Sequence, residues 1–542
     1  MSTVEMSANV VDVVAGRVFP GTVTVAGGRL AAVREEPGRT FDRTVLPGFV
    51  DAHVHVESSM MVPSEFARFA TAHGTVATVS DPHEIANVLG VEGVQLMVEN
   101  GRRVPFKFHF GAPACVPATA FETAGAVLDA AAVRGLFDRF GLRYLSEMMN
   151  FPAVLSGDAD VHAKMQAAKD RGLPIDGHAP GLRGEAARRY AAAGPSTDHE
   201  CVTLEEALEK IGFGMKILIR EGSAARNFAA LHPLLRVAPE SCMFCTDDLH
   251  PDNLLHGHVD RLAARAVAEG HNLFAVLRAA TLNPVRHYGL PVGLLQPGDP
   301  ADFIVVDDLR EFRVRQTYID GRLVAADGRS LIDRVAAPAL NRWGATVKRA
   351  EQFHIPSRGG LVRVIEALDG QLVTNELHLP AREEHGRLVA DPAADVLKIA
   401  VVNRYADASP AVGFVRGFGL TRGAIASSVA HDSHNVVAVG TTDDDLCVAV
   451  NALIETKGGL AVADGGRTDV LSLEVAGLMS RDGEAVAAGY AHLGRLAREL
   501  GSPLRAPFMT LAFMALLVIP ALKLSDRGLF DGRAFRFVPL HV

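Results

Sequence analysis

Cysteine is scarce in this chain: five residues in 542, an odd count too sparse for a disulfide framework. A reducing cytoplasm is therefore the expected setting. Cys242 and Cys245 form a C-x-x-C with no second pair beside it, and SCMFCTDD reads as a buried strand rather than a zinc or redox site. Excess positive charge is also missing. The formal net charge is −9 and the sequence pI about 6.2, so the chain carries no electrostatic footprint for nucleic acid or an anionic membrane surface. The opening MSTVEMSANVVDVV lacks a basic stretch followed by an apolar core, so no signal peptide is expected. The most apolar run, Ala506 to Leu522, is about 17 residues long and is broken by Pro507, Thr510 and Pro520. That is the lower limit for a membrane span, and a buried core segment is the expected reading. There is no internal repeat, no low-complexity tract and no G-x-x-x-x-G-K-[ST] phosphate cradle.

What is present is ample apolar material. Hydrophobic residues make up 48% and charged residues 22%, enough for more than one domain at this length. Short β-like runs separated by Gly-rich turns occupy residues 8–45 and return at 301–324, which suggests one small domain split by a large insertion. Inside the insertion eight strand-like runs alternate with polar or helical sequence: VLPGFVDAHVH, TVATVSDPH, KFHFGAP, LRYLSEMM, PIDGHAP, STDHECV, MKILIREGS and CMFCTDD. The expected class is α/β: a (β/α)8 barrel over 46–290, a split small β-sandwich domain over 1–45 and 291–340, and an additional C-terminal α+β domain over 345–542. In the third region DVLKIAVVNRY, AVGFVRGFGL, NVVAVG and LCVAVNALIE read as strand-rich, with a helix near Ala485–Leu500.

Polar residues fall at the C-terminal ends of the eight runs, the face that carries chemistry in such a barrel. His53 and His55 alternate along one strand and so point the same way. Later strand ends supply Asp81, Glu147, His178, His199 and Asp247. Any one of these is more often structural than catalytic. Seven nitrogen and oxygen ligands in barrel order form a candidate site for two divalent ions, and a donor set without cysteine favours manganese or iron(II).

The H-x-H after Pro-Gly-Phe, the histidines of strands five and six and the aspartate of strand eight resemble the amidohydrolase superfamily. More narrowly, PGFVDAHVHVESSM, GTVATVSDPHEIANVLG, GHAPGLRG, KILIREGSAARN, CTDDLHPDNLL and GAIASSVAHDSHN are similar to bacterial adenine deaminases, and the similarity runs over nearly the whole chain. The resemblance implies that His53 and His55 hold one metal, His178 and His199 the other, and that Glu147 bridges them where many relatives carry a carboxylated lysine. No lysine stands near Glu147 in LRYLSEMMNFP. It implies that Asp247 is both metal-associated and catalytic, with Asp81 a further candidate ligand and Glu147 a helper in ring protonation.

The implied reaction is hydrolytic removal of the purine 6-amino group as ammonia. Divalent ions acidify the attacking water, and a carboxylate, Asp247, shuttles its proton to the leaving nitrogen. The resemblance implies free adenine as substrate; carboxylates at the strand ends also repel a nucleotide phosphate, while neutral adenosine is set aside only by pocket size and the resemblance. Glu57, Ser58, Arg183, Arg220, Ser223, His431 and His434 are candidate substrate contacts; Glu57 and Ser58 equally suit a helix N-terminus, and VAHDSHN suits either a lid or the third region's own fold. The expected partner is a small purine base, with no nucleic acid and no membrane, in a homodimer or higher homo-oligomer. Two rivals are weighed: a cyclic-amide hydrolase of the same superfamily, which calls for a strand-four lysine, and a metal-free binding protein, which should have lost a ligand.

Overall fold

The computed structural model describes residues 4–223 and 225–542. Met1–Thr3, part of the segment read for a leader, and Ala224, within the REGSAARN motif, lie outside the described residues. Eight short parallel strands follow one another at the centre: β1 (Phe49–Val54), β2 (Thr75–Ser80), β3 (Lys107–Phe110), β4 (Leu145–Met148), β5 (Ile175–Gly177), β6 (Thr197–Asp198), β7 (Lys216–Arg220) and β8 (Cys242–Cys245). Hydrogen bonding groups them as β1-β2-β3, β4-β5 and β6-β7-β8. Isolated parallel bridges link the groups at Ala112–Leu145 and Ile175–Pro195, and a third, Val54–Asp247, joins the last strand to the first.

Every residue of β1 and β2 is buried, as expected of parallel strands covered on both faces. Helices intervene, for example Pro63–Ala72, Ala159–Lys169 and Leu204–Gly212. The last begins at Thr203, whose hydroxyl accepts the Glu206 N–H at 3.2 Å, and carries Glu205 and Glu206 in its first turn. Both features satisfy or oppose the positive helix start. Gly177 is required where β5 meets β6, because a Cβ there would sit 2.3 Å from the Thr197 carbonyl oxygen.

The two flanking pieces combine in one continuous eight-stranded sheet, in which Thr44–Pro47 lies between Val4–Asp12 and Phe303–Val306. The strands expected to form a split sandwich are thus hydrogen-bonded edge to edge. The run VLPGFVDAHVH, expected as one strand of the central set, is divided between two sheets at Gly48, where a Cβ would lie 2.3 Å from Val76.

The third region builds a second eight-stranded sheet, with Leu397–Val402 and Val436–Gly440 at its middle. One expectation fails here: LCVAVNALIE belongs to a helix, Asp443–Thr456. Thr442 caps it, three aspartates fill its first turn, and Leu446, Val450 and Leu453 recur at helical spacing on the buried side. A helix over Gly483–Glu499 matches the expected one. The apolar run after Ala506 folds as a short helix (Pro507–Ala512), a turn (Phe513–Ala515) and a strand (Leu522–Ser525), all buried. Among the described residues no helix is long and apolar enough to cross a membrane. All five cysteines are free and buried, Cys242 and Cys245 within β8.

The third region packs directly over the C-terminal ends of the central strands. The Ser480 N–H donates to the Met60 carbonyl at 2.8 Å, Val62 returns a bond to Ser480 at 3.1 Å, and the Ser433 hydroxyl donates to Glu122 at 2.8 Å. One apolar cluster runs through both, from Val50 and Val79 to Val437 and Leu460.

Candidate metal and catalytic centre

The first and last central strands meet at the site. His53 lies at the end of β1 and His55 just beyond it, while Asp247 leaves β8 with φ of 57°. Aspartate tolerates that left-handed conformation better than most residues. The Asp247 N–H donates to the His53 carbonyl at 2.9 Å and the His55 N–H to the Asp247 carbonyl at 3.1 Å, so backbone pairing sets the three side chains together. The Asp247 Oδ1 stands 3.1 Å from His55 Nε2 and 3.5 Å from His53 Nε2.

Glu147, on β4, faces both halves of the cluster. Its Oε1 is 3.3 Å from His55 Nε2, and its Oε2 is 2.7 Å from His178 Nδ1 and 3.1 Å from His199 Nε2. These side chains are all buried, His53 fully and His178 at 7% exposure. The facing nitrogens test whether a cation suits the place. His53 Nε2 and His55 Nε2 are 3.2 Å apart, and His178 Nδ1 and His199 Nε2 are 3.3 Å apart. His55 Nδ1 donates to the Asp81 carbonyl at 3.2 Å, which turns Nε2 toward the carboxylates as the nitrogen that would bind an ion once its proton is displaced. The set fits divalent ions: imidazole and carboxylate donors only, converging and shielded from water.

Electrostatics follow from that crowding. Burial favours the neutral acid of Glu147, but His178, His199 and His55 outweigh it and hold the carboxyl well below its usual range. Burial loses likewise at Asp247 to Arg220, His53 and His55. Burial also opposes a charge on His55, yet Asp247 and Glu147 raise it well above the ordinary value, whereas burial and His199 lower His53. Arg220, the buried cation of β7, donates to Glu200 at 2.6 Å and to Asp247 Oδ2.

The other candidates divide. Asp81 accepts from His83 Nδ1 at 3.0 Å, and its carboxylate also lies within 4.8 Å of donor atoms of His55, His83 and Glu147, a group that could hold an ion. His83 Nδ1 in turn lies 3.5 Å from Glu147 Oε1. Glu57 is buried behind, accepting the Ile85 N–H at 3.2 Å, its carboxyl pushed up by burial to about 7. The Ser58 hydroxyl donates to Asp248 at 2.5 Å. Ser223 accepts the His250 N–H at 2.8 Å and contacts Asn253, outside the cavity wall. Arg183 is also outside it: its exposed guanidinium pairs with Glu209 at the start of helix Gly184–Ala193. The glycine-rich turn carries that residue away from the strand end.

His431 and His434 come from the third region and enter the site. His431 Nδ1 stands 2.5 Å from Glu84 Oε1, and His434 Nε2 bonds Glu84 Oε2. Burial disfavours a charged His431, but Glu84 and Asp248 raise it to about 9. The cavity so enclosed is about 20 Å³, walled by the strand-end cluster and His83, Glu84, Glu200, Asp248, His431 and Asp432, and roofed by Leu372, Phe513 and Leu516. It has room for about one water molecule. His83, Glu84, Glu200 and Asp248 were missed by sequence reasoning, although each adjoins or nearly adjoins a chosen residue in SDPHE, TDHE and TDD. A larger surface cleft of about 510 Å³ beside Arg29, Lys107 and Arg143 has no such convergence of imidazoles.

Comparison with known proteins shows the family. The amidohydrolase family model matches residues 44–324, and the adenine deaminase C-terminal domain model matches 371–536. A protein of Salinibacter ruber named adenine deaminase is 57% identical over 98% of each chain. One of Methanosarcina barkeri with the same name is 53% identical over 98% of each, and one of Borreliella burgdorferi 44% identical over 99% of this chain and all of its own. The chain belongs to the adenine deaminase family. One family model spans all eight central strands and, of the first sheet, Thr44–Pro47, Phe303–Val306, Val314–Ile319 and part of Arg322–Ala326; the other spans most of the third region.

Proposed function

We propose that this chain hydrolyses adenine to hypoxanthine and ammonia, with two divalent ions, manganese or iron(II), held by His53, His55, His178, His199, Glu147 and Asp247. The observation that carries the reading is one buried cavity enclosed by both family-matched segments, with the imidazole–carboxylate cluster below and the third region above. The eight central strands are read as a (β/α)8 barrel closed at Val54–Asp247, with domains at 1–45 plus 291–340, 46–290 and 345–542. Bound ions at this donor set would supply acidification of the attacking water.

The rest is work for the chain's own side chains. Asp247 is ionised, is fixed by Arg220 through Oδ2 and faces the cluster through Oδ1. It takes a proton from water as the oxygen bonds to C6 and returns it to the 6-nitrogen as the C6–N bond breaks and ammonia leaves. In this reading Glu147, itself ionised, assists ring protonation by passing on a second proton taken from water. The carboxylates around the cavity oppose a phosphate, and Leu372, Phe513 and Leu516 suit the face of a neutral base. Glu147 stands where a cyclic-amide hydrolase would need lysine. Cytoplasmic location, a role in purine salvage and a homo-oligomeric state complete the proposal.

Ammonia release from adenine, adenosine, AMP and guanine by manganese-loaded protein tests it. Adenine should give the highest kcat/KM; an equal or higher value for adenosine overturns the choice of substrate.

A further inference from the structure

Behind the roof of the cavity lies a lysine with no counter-charge. Lys523 is fully buried in the strand Leu522–Ser525. Its Nζ donates to the Leu372 carbonyl at 2.7 Å and to the Phe513 carbonyl at 2.9 Å. Those two residues roof the cavity, although 141 positions separate them in sequence (513 less 372). Burial without a carboxylate pushes the lysine down to about 7, an expensive arrangement for a group that only fills space. Lys398, another buried lysine of the third region, has its charge met by Asp443 at 2.6 Å.

We propose that Lys523 is a positioning residue for the reaction: it ties the Leu372 and Phe513 backbones together and so sets the height and tilt of the roof over the substrate. This rests on the reading of the cavity as the adenine site. The roof is also tied to the polar wall. The Phe513 ring stacks on His431 with centroids 4.5 Å apart and planes 9° apart, and the His431 N–H donates to the Ala512 carbonyl at 3.1 Å. A shift of the Phe513 backbone therefore moves His431 and its bond to Glu84. The linkage meets the lower cluster only through Glu84, whose Oε1 is 3.3 Å from His83 Nε2, and His83 Nδ1, 3.5 Å from Glu147; His53, His55, His178, His199 and Asp247 are not part of it, so the ion count and the proton shuttle are expected to survive its loss. The two hydrogen bonds thus fix where the roof stands over the cavity.

Full-length, manganese-loaded Lys523→Met keeps most of the side-chain volume and removes both donors. The expected result is a KM for adenine raised about tenfold, equivalent to about 1.4 kcal/mol, with kcat within about threefold of wild type and two ions still bound per chain. Lys398→Met serves as the control: it should lower the melting temperature and leave KM unchanged. An unchanged KM in Lys523→Met, or an equal rise in Lys398→Met, overturns the proposal. Should Lys523→Met fail to fold, Lys523→Gln retains an amide donor at shorter reach; its KM should rise too, and a wild-type KM refutes the role. Wild-type turnover of adenine in the same assay separates failure of this idea from failure of the substrate reading.

Discussion

The strand ends and the third region reach the same cavity by different routes. Each strand-end side chain of the lower cluster sits on or just after a parallel strand, so alternation along the strand and pairing between strands fix its direction. His53, His55 and Asp247 are locked by two backbone hydrogen bonds. The third region sends in a loop and a roof whose placement depends on side-chain contacts: His431 and His434 on Glu84, Phe513 on His431, Tyr490 on His250. The lower half is preorganised by a rigid sheet, which suits ligands that must not move. The upper half is anchored away from the cavity by backbone bonds at Ser480 and a shared apolar cluster, and over the cavity itself by side-chain contacts.

Substitutions can break that contrast. The largest effect is expected at Glu147, the one carboxylate facing both halves of the lower cluster. Glu147→Gln should drop metal content below two per chain and cost activity at least as heavily as loss of the proton shuttle. Elemental analysis finding two tightly held ions with normal turnover would remove Glu147 from its bridging place. Asp247→Asn comes next: kcat should fall about 10²–10⁴-fold while much of the metal stays, and near-normal kcat in metal-replete protein refutes the shuttle.

A change that sharpens the comparison is Glu84→Gln. It removes the charge that both third-region histidines face, and lost charged hydrogen bonds of this kind cost about 1.5–3 kcal/mol each. The melting temperature should fall and KM should rise, while the ion count stays at two. Loss of the ions instead would show that the two halves are not separable. The smallest effect belongs to Arg183→Ala. Its guanidinium is exposed and paired with Glu209, so steady-state constants for adenine should match wild type; a KM raised several-fold would place it at the substrate after all.

Much of the lower half was legible in the sequence because local chemistry forces it. An H-x-H on an apolar strand has one way to point, and each later strand ends in a residue that must either bind something or be satisfied. Legibility failed where the partner is remote. Glu84 is an unremarkable helix residue until His431 meets it from 347 positions away, and no periodicity announces that contact. Arg183 erred in the opposite direction: its motif adjoins His178, but the turn Pro180–Leu182 sends the side chain outward. LCVAVNALIE was read as strand-like from its apolar run, and the decisive signal was upstream, in Thr442 and the three aspartates that begin a helix. The split of VLPGFVDAHVH at Gly48 and the continuous first sheet are matters of strand pairing, which an apolar run does not encode.

The span between Glu84 and His431 also has a consequence for synthesis. A ribosome adding 5–20 residues per second takes roughly 20–70 s to cross the 347 intervening positions. Over the last 184 of those positions, from Asp247 to His431, the carboxylates and imidazoles of the central strands have all been made, but the segment that covers them has not. An emerging chain therefore presents an open, acidic, histidine-rich basin to whatever cations surround it. On the proposed metal reading, the ion met first would compete with the ion bound most tightly, and cells fed different metals during translation should yield chains of one sequence with different ion contents, which elemental analysis would measure.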